Sequence, residues 1–368
     1  MNFEFNDDQR LLRDQARRFL LDKCPAEVVR QTLESDQPYD KVLWRKFADM
    51  GWLGAAIPEA YGGSGMGHLE LCVLAEELGR ALAPTPFASS IYLAAEALLT
   101  AGSEVQKQSY LPDLAAGAEI WCLALSEGSR PATEGNIGTE VSGGKLTGEK
   151  LPVADGDIAD RAIVVAREGA SIGLYIVDLN GAGVTRQTVD TMDPTRSQAR
   201  LSFTNTGVEK LGTEGWPLLE RIQDRAAVMM AFEQIGGAQA CLEMAKDYAM
   251  GRFAFGRPIA SYQAIKHRLA DMYIQIELAR SNAYFGAWAL STDAAELPVA
   301  AATARVAAIE AYNFAAKENV QVHGGMGFTW EFNCHLYYRR ARQLALVLGS
   351  QRRWKDRLIR ALERRNAA

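Results

Sequence analysis

The glycines of Gln321-Val-His-Gly-Gly-Met-Gly-Phe-Thr-Trp-Glu, and the arginine that opens Arg252-Phe-Ala-Phe-Gly-Arg-Pro-Ile about 70 residues earlier, are residue types that hold phosphorylated ligands. Gly324, Gly325 and Gly327 carry no Cβ, so a backbone there can bring exposed N–H groups close to a bulky anion. Arg252 offers a fork of donors to a pyrophosphate, and Gln263 and Gln321 each offer a donor beside an acceptor. Together the two segments have the chemistry of a phosphate and adenine grip. The same residues also admit a plainer reading, in which the glycines make a tight turn between helices and Arg252 sits in a surface ion pair.

Helices must carry these segments. Apolar residues recur at helical spacing over about Leu218 to Gly251, Tyr262 to Leu290, Pro298 to Val320 and Cys334 to Leu348. Pro298 suits a first helical turn, where its missing N–H costs nothing. Toward the other end of the chain, Asn6 is an N-cap with Asp7 and Asp8 in the first turn and Leu11, Leu12, Ala16, Phe19 and Leu20 on one face. Further helices are expected at Lys41 to Met50, His68 to Leu82, Ser90 to Ala101 and Glu104 to Ala115. From about Trp121 the period changes. Ala162-Ile-Val-Val-Ala, Gly173-Leu-Tyr-Ile-Val-Asp-Leu and Gln198-Ala-Arg-Leu-Ser-Phe read as short strands of an antiparallel sheet or barrel. Blocks of helix, strand and helix imply an α+β multidomain chain with domains at 1–120, 121–213 and 214–368. No Gly-x-Gly-x-x-Gly follows a predicted strand, which counts against a Rossmann domain.

Composition narrows the partners. A chain of 368 residues with 48% hydrophobic content fills two or three cores, and a net charge of −5 provides no overall basic field for nucleic acid. The Arg-rich stretch Arg339 to Arg365 is interleaved with leucines, which fits a solvated helix face or a subunit contact. Cys24, Cys72, Cys122, Cys241 and Cys334 are scattered without a Cys-x-x-Cys pair. That pattern implies reduced thiols in a cytoplasmic protein and no metal site. His68, His267, His323 and His335 lack metal-ligand spacing, and only His323 is a candidate ligand contact. The opening Met1 to Asp8 is acidic rather than a basic leader, and no apolar run reaches the length of a membrane span.

The glycine-rich segment and Arg252-Phe-Ala-Phe-Gly-Arg-Pro-Ile, with Gln263 between them, resemble the cofactor signature of the acyl-CoA dehydrogenase family. Ile57-Pro-Glu-Ala-Tyr-Gly-Gly-Ser-Gly resembles a second signature of that family, and the likeness covers essentially the whole chain. It is nearest in kind to the short subunits of hetero-oligomeric members, such as the pimeloyl-CoA dehydrogenase small subunit and steroid side-chain acyl-CoA dehydrogenases. The resemblance implies an N-terminal α-helical domain, a middle antiparallel β-domain and a C-terminal four-helix bundle. It implies FAD, held by Arg252, Phe255, Gln263, Gln321, Gly324, Gly325 and Ser126. The reaction implied is α,β-desaturation of a CoA thioester, with electrons leaving through an electron-transfer flavoprotein. The resemblance implies an acyl part that is a dicarboxylate, a ring or a steroid chain.

Desaturation needs a desolvated carboxylate to take the α-proton and donors for the enolate-like oxygen. In most of the family the base is a Glu just before a Gly, a place filled here by Leu348 in Leu344-Ala-Leu-Val-Leu-Gly-Ser. The alternative family position falls at Ala226, before Ala227. Of the nearby acids, Glu233 lies seven residues beyond Ala226, about 700° and ~10.5 Å along a helix, hence on nearly the same face. Asp224, on another face, reads as a solvated first-turn acid. Glu233 is therefore the candidate base, and its plainer reading is a buried acid paired with an arginine.

The segments that resemble the flavin-ring wall also depart from the family. Thr-Glu-Pro-x-Ala-Gly-Ser-Asp becomes Ser126-Glu-Gly-Ser-Arg-Pro-Ala-Thr, and Lys-x-Trp-Ile-Thr becomes Lys150-Leu-Pro-Val-Ala. Pro152 and Ala154 reproduce neither the indole wall nor the hydroxyl donor. In the family, the N-terminal and middle domains of one subunit hold the flavin while its neighbour's C-terminal domain grips the pyrophosphate and adenine. The resemblance thus implies a homo- or hetero-oligomer, a dimer or dimer of dimers. Within it this chain desaturates an acyl-CoA or, alternatively, completes the FAD site of a partner without turnover of its own. A flavin oxidase or monooxygenase on the same fold is a weaker alternative.

Overall fold

The computed structural model describes residues 6–367; the acidic opening Met1 to Phe5 and Ala368 lie outside them. Helix α1 (Asp7–Lys23) begins at Asn6, whose side chain accepts the Gln9 N–H at 2.9 Å while Gln9 Oε1 accepts the Asn6 N–H at 3.0 Å. This reciprocal cap satisfies two amides that a helix start otherwise leaves open. α2 (Ala26–Glu34), not expected from the sequence, is followed by α3 (Lys41–Asp49) and α4 (His68–Arg80). The helix expected over 90–101 is π-wound at Ala88–Ala95 and becomes regular only as α5 (Glu96–Ala101), ahead of α6 (Glu104–Ala115).

Eight strands form one sheet: β1 (Trp121–Ala124), β2 (Glu140–Ser142), β3 (Lys145–Ala154), β4 (Arg161–Glu168), β5 (Ser171–Asp178), β6 (Val184–Thr188), β7 (Gln198–Gly207) and β8 (Glu209–Leu211). Their order is β6-β7-β3-β2-β4-β5-β8, with β1 beside β4. β1 and β2 each pair with β4 in parallel, so the sheet is mostly rather than wholly antiparallel. Ala162 to Ala166 and Ile172 to Val177 are buried through the middles of β4 and β5, which explains why these runs are continuously apolar.

The C-terminal part is helical: α7 (Trp216–Gly251), a hairpin of β9 (Phe253–Ala254) and β10 (Arg257–Pro258), then α8 (Gln263–Ser291), α9 (Leu297–His323), α10 (Cys334–Leu344) and α11 (Gln351–Ala367). Pro298 stands in the first turn of α9. The helix expected to run to Leu348 instead stops at Leu344, and Leu348 and Gly349 take positive φ of 63° and 100°.

By compactness the described residues fall into two units, 6–29 with 68–83 and 227–367, and 30–67 with 84–226. In the first, α4 and α7 touch backbone to backbone. A Cβ on Gly79 would strike the Glu233 carbonyl, and one on Gly236 the Glu76 carbonyl. In the second, Ile57, Trp121, Ile163, Val165, Leu174, Ile176, Leu219 and Ile222 belong to one buried cluster. Among the described residues no helix is long and apolar enough to cross a membrane.

Candidate functional site

An aromatic box joins the ends of α7 and α9. The Tyr248 and His323 rings stack with centroids 4.1 Å apart, and Phe332 meets them edge-on at 5.7 and 5.3 Å. His323 is buried, and burial lowers the pKa of its imidazole; its Nδ1 lies 2.8 Å from the Asn319 carbonyl, to which it donates. Its role in the geometry is to lock two helix ends together. One turn past Tyr248 comes Arg252, whose N–H donates to the Tyr248 carbonyl at 2.8 Å, and directly after His323 comes Gly324.

The start of α8 is tied to the same end. The Ile259 N–H donates to the Arg252 carbonyl at 2.8 Å, and the Tyr262 hydroxyl to the Ala254 carbonyl at 2.9 Å, which folds the hairpin back and delivers Gln263 as the first residue of α8. Further along, Arg268 of α8 pairs with Glu318 of α9 at 3.2 Å. Arg252, Phe255, Gln263, Gln321, Gly324 and Gly325 therefore come together on one exposed lip formed by three helix ends.

At its glycines that lip is open. Gly324 holds φ at 58°, and a Cβ added to Gly324 or Gly325 would meet nothing within 4 Å, so the backbone is open to an approaching group. Gly327 does different work: a Cβ there would press on the Val320 carbonyl, so this glycine closes the turn. Around the lip Phe255 is 98% and Phe328 85% exposed, and Phe253 and Trp330 are exposed too. The sequence reading included Phe255 but missed Phe328 and Trp330. Their place beside the glycine turn is the signal that would have found them.

On the sheet, the two departures from the family motif lie side by side. The Leu151 N–H donates to the Ser126 carbonyl and the Gly128 N–H to the Leu151 carbonyl, each at 2.7 Å. Lys150 is fully buried, its Nζ 2.7 Å from Glu127 Oε1 and 3.2 Å from the Leu125 carbonyl. Burial would raise the Glu127 pKa, but the Lys150 ammonium and the N–H groups of Gly138 and Thr139 outweigh it and hold the carboxyl down to about 2. Ser126 is half-buried, Ala154 half-buried and Pro152 exposed.

Neither family base position holds an acid. Ala226 and Ala227 are wholly buried, and Leu348 occupies the turn after α10. Asp224 is buried rather than solvated, contrary to expectation, because this part of α7 faces inward on both sides. Glu233 is 0% exposed and lies 3.8 Å from Arg340 Nη1. Beside it Arg305, also fully buried, donates to Gln234 Oε1 and to the Leu344 and Val347 carbonyls. Burial pushes the Arg305 pKa down to about 9, against the attraction of Glu233. The candidate acid thus belongs to a closed cluster with two guanidinium groups.

Comparison with known proteins bears on these features. The acyl-CoA dehydrogenase N-terminal domain family matches residues 6–118, and the acyl-CoA dehydrogenase C-terminal domain family residues 213–362. Acyl-CoA dehydrogenase IpdE2 of Mycobacterium tuberculosis is 36% identical over 355 residues, 96% of this chain and 96% of its own length. Acyl-CoA dehydrogenase FadE27 of the same organism is 32% identical over 89% of each chain. Among solved structures, the ChsE4–ChsE5 complex from Mycobacterium tuberculosis contains a chain with a TM-score of 0.90 and 29% identity, covering 99% of both.

Proposed function

The chain belongs to the acyl-CoA dehydrogenase family, and from that premise we propose that it is one subunit of an FAD-dependent acyl-CoA dehydrogenase assembly. Its lip grips the pyrophosphate and adenosine of an FAD whose flavin ring is seated in a second, non-identical family member. The observation that carries this reading is an open, intact lip in a chain whose base positions hold Leu348 and Ala226 and whose ring-facing strand offers Pro152 and Ala154.

In this reading Arg252 neutralises pyrophosphate charge with its planar fork, while Gln263 and Gln321 meet polar edges. The Gly324–Gly325 backbone lets the ligand approach without a side chain in between. Phe255 and Phe328 become buried against the partner and exclude water from the phosphates, which strengthens every charge-assisted bond there. When bound, FAD supplies the hydride acceptor for α,β-desaturation of the acyl-CoA, and an electron-transfer flavoprotein takes the electrons onward. Glu233 we assign to the structural cluster, so the proton-abstracting carboxylate comes from the partner. That a chain 29% identical occurs in a two-component complex supports this division of labour. None of the five cysteines is in a disulfide and all are buried, which supports a reducing, cytoplasmic setting.

The test is thermal. A ligand raises the unfolding midpoint only of the state that binds it. Saturating FAD should raise the midpoint of a complex between this chain and a family member with intact Thr-Glu-Pro and Trp-Ile-Thr motifs, and leave that of the chain alone nearly unchanged. An equal rise for the chain alone would reject the shared site.

A further inference from the structure

The hairpin between α7 and α8 holds a cation that is aimed and unpaired. Arg257 stands opposite Ala254 and Pro258 opposite Phe253, and the Ile259 N–H continues the ladder to the Arg252 carbonyl at 2.8 Å. Phe255 and Gly256 close the strands with φ of 50° and 79°, both positive, as the tightest hairpin turn requires. Side chains alternate along a strand and directly opposed residues share a face, so Arg252, Ala254 and Arg257 project to one side. There the Arg257 guanidinium lies over the Tyr262 ring, 4.0 Å from its centre, and the Tyr262 hydroxyl donates to the Ala254 carbonyl at 2.9 Å. The ring is tied to the hairpin and the guanidinium rests on the ring. A side chain held in this way has less freedom left to lose when a ligand arrives. Arg257 is exposed and has no ion-pair partner among the described residues.

We propose that Arg257 is a second dinucleotide-binding residue, which takes the phosphate that Arg252 does not, with Tyr262 as the residue that positions it. In the shared-site reading, on which this rests, the lip receives a pyrophosphate diester with two negative charges, and Arg252 cancels one. The scaffold does not supply the balance. Of the three helix ends at the lip, α7 at Gly251 and α9 at His323 present carbonyl poles, and only α8 at Gln263 presents N–H groups. Glu331, exposed past the glycine turn, is a further negative charge. Under a covering partner, a phosphate charge left without a cation loses its water and gains nothing in return. Lys266 of α8 and Lys317 of α9 are exposed as well, but among the described residues neither rests on a ring. Arg257 shares a hairpin face with Arg252, and its planar fork meets phosphate oxygens two at a time, as an ammonium does not.

FAD titrations followed by flavin fluorescence, made on the complex with a flavin-seating partner, read the contact. Arg257→Gln should weaken FAD binding by roughly ten- to a hundredfold, the loss of a charge-assisted bidentate contact. Arg257→Lys should weaken it less, because the charge remains without the fork. Riboflavin, which has the ring and neither phosphate, should bind Arg257→Gln as it binds the natural complex, which separates a lost phosphate contact from a damaged interface. Tyr262→Leu removes the ring under the guanidinium and should cost about three- to tenfold. That loss should nearly vanish when Arg257 is already Gln, a coupling that a purely structural tyrosine does not show. If Arg252→Ala weakens FAD while Arg257→Gln does not, the second contact is overturned and the shared site stands; if neither substitution matters, both fall. Riboflavin weakened as much as FAD, or a Tyr262→Leu loss undiminished beside Arg257→Gln, would also overturn the proposal.

Discussion

Arg252→Ala, made in the complex with a flavin-seating partner, should weaken FAD binding by roughly ten- to a hundredfold. The side chain is exposed on the lip and, in the shared-site reading, its charge-assisted bonds to the pyrophosphate are worth about 1.5–3 kcal/mol. Each 1.4 kcal/mol is a factor of ten in affinity. Arg252→Lys should recover part of the loss, because an ammonium keeps the charge without the fork. Quenching of flavin fluorescence during titration gives the dissociation constant. An unchanged constant in Arg252→Ala would mean that the lip does not grip the dinucleotide.

Glu233→Gln separates structure from chemistry. The acid is fully buried beside Arg340 and Arg305, so neutralising it removes a buried negative charge from beside two guanidinium groups. Breaking a buried pair in this way costs about 3–5 kcal/mol. Thermal or urea unfolding should show that loss, and complex that remains folded at low temperature should keep its turnover. The converse result, native-like stability with turnover down by about 10²- to 10⁴-fold, is the signature of a lost general base and would return Glu233 to catalysis.

The parts of the chain legible in its sequence are those governed by near neighbours. Asn6 and Gln9 cap each other three residues apart, and the glycine turn after His323 needs no distant partner to be open. Arg252, Gln263, Gln321 and Gly324 stand at or next to helix ends, where side chains and backbone are left over, and that local setting is readable from spacing alone. What stayed hidden depends on contacts far away along the chain. The apolar pattern through Leu348 reads as helix, yet Arg305 of α9 takes up the Leu344 and Val347 carbonyls, and the winding stops at Leu344. The parallel pairing of β1 with β4, registering Trp121 with Arg161, likewise has no local signature. Spacing on one helix face put Glu233 near the family's base position. It said nothing of Arg340, whose arrival beside it depends on how α10 folds back onto α7.

The flavin content of the purified protein tests the shared-site account most directly. Protein and flavin absorbance, measured for this chain expressed alone and for the complex with a flavin-seating partner, give the ratio of FAD to chain. The account predicts a colourless preparation alone and one FAD for each copy of this chain in the complex, hence one for every two chains. A yellow homo-oligomer carrying one FAD per chain and desaturating an acyl-CoA would contradict it.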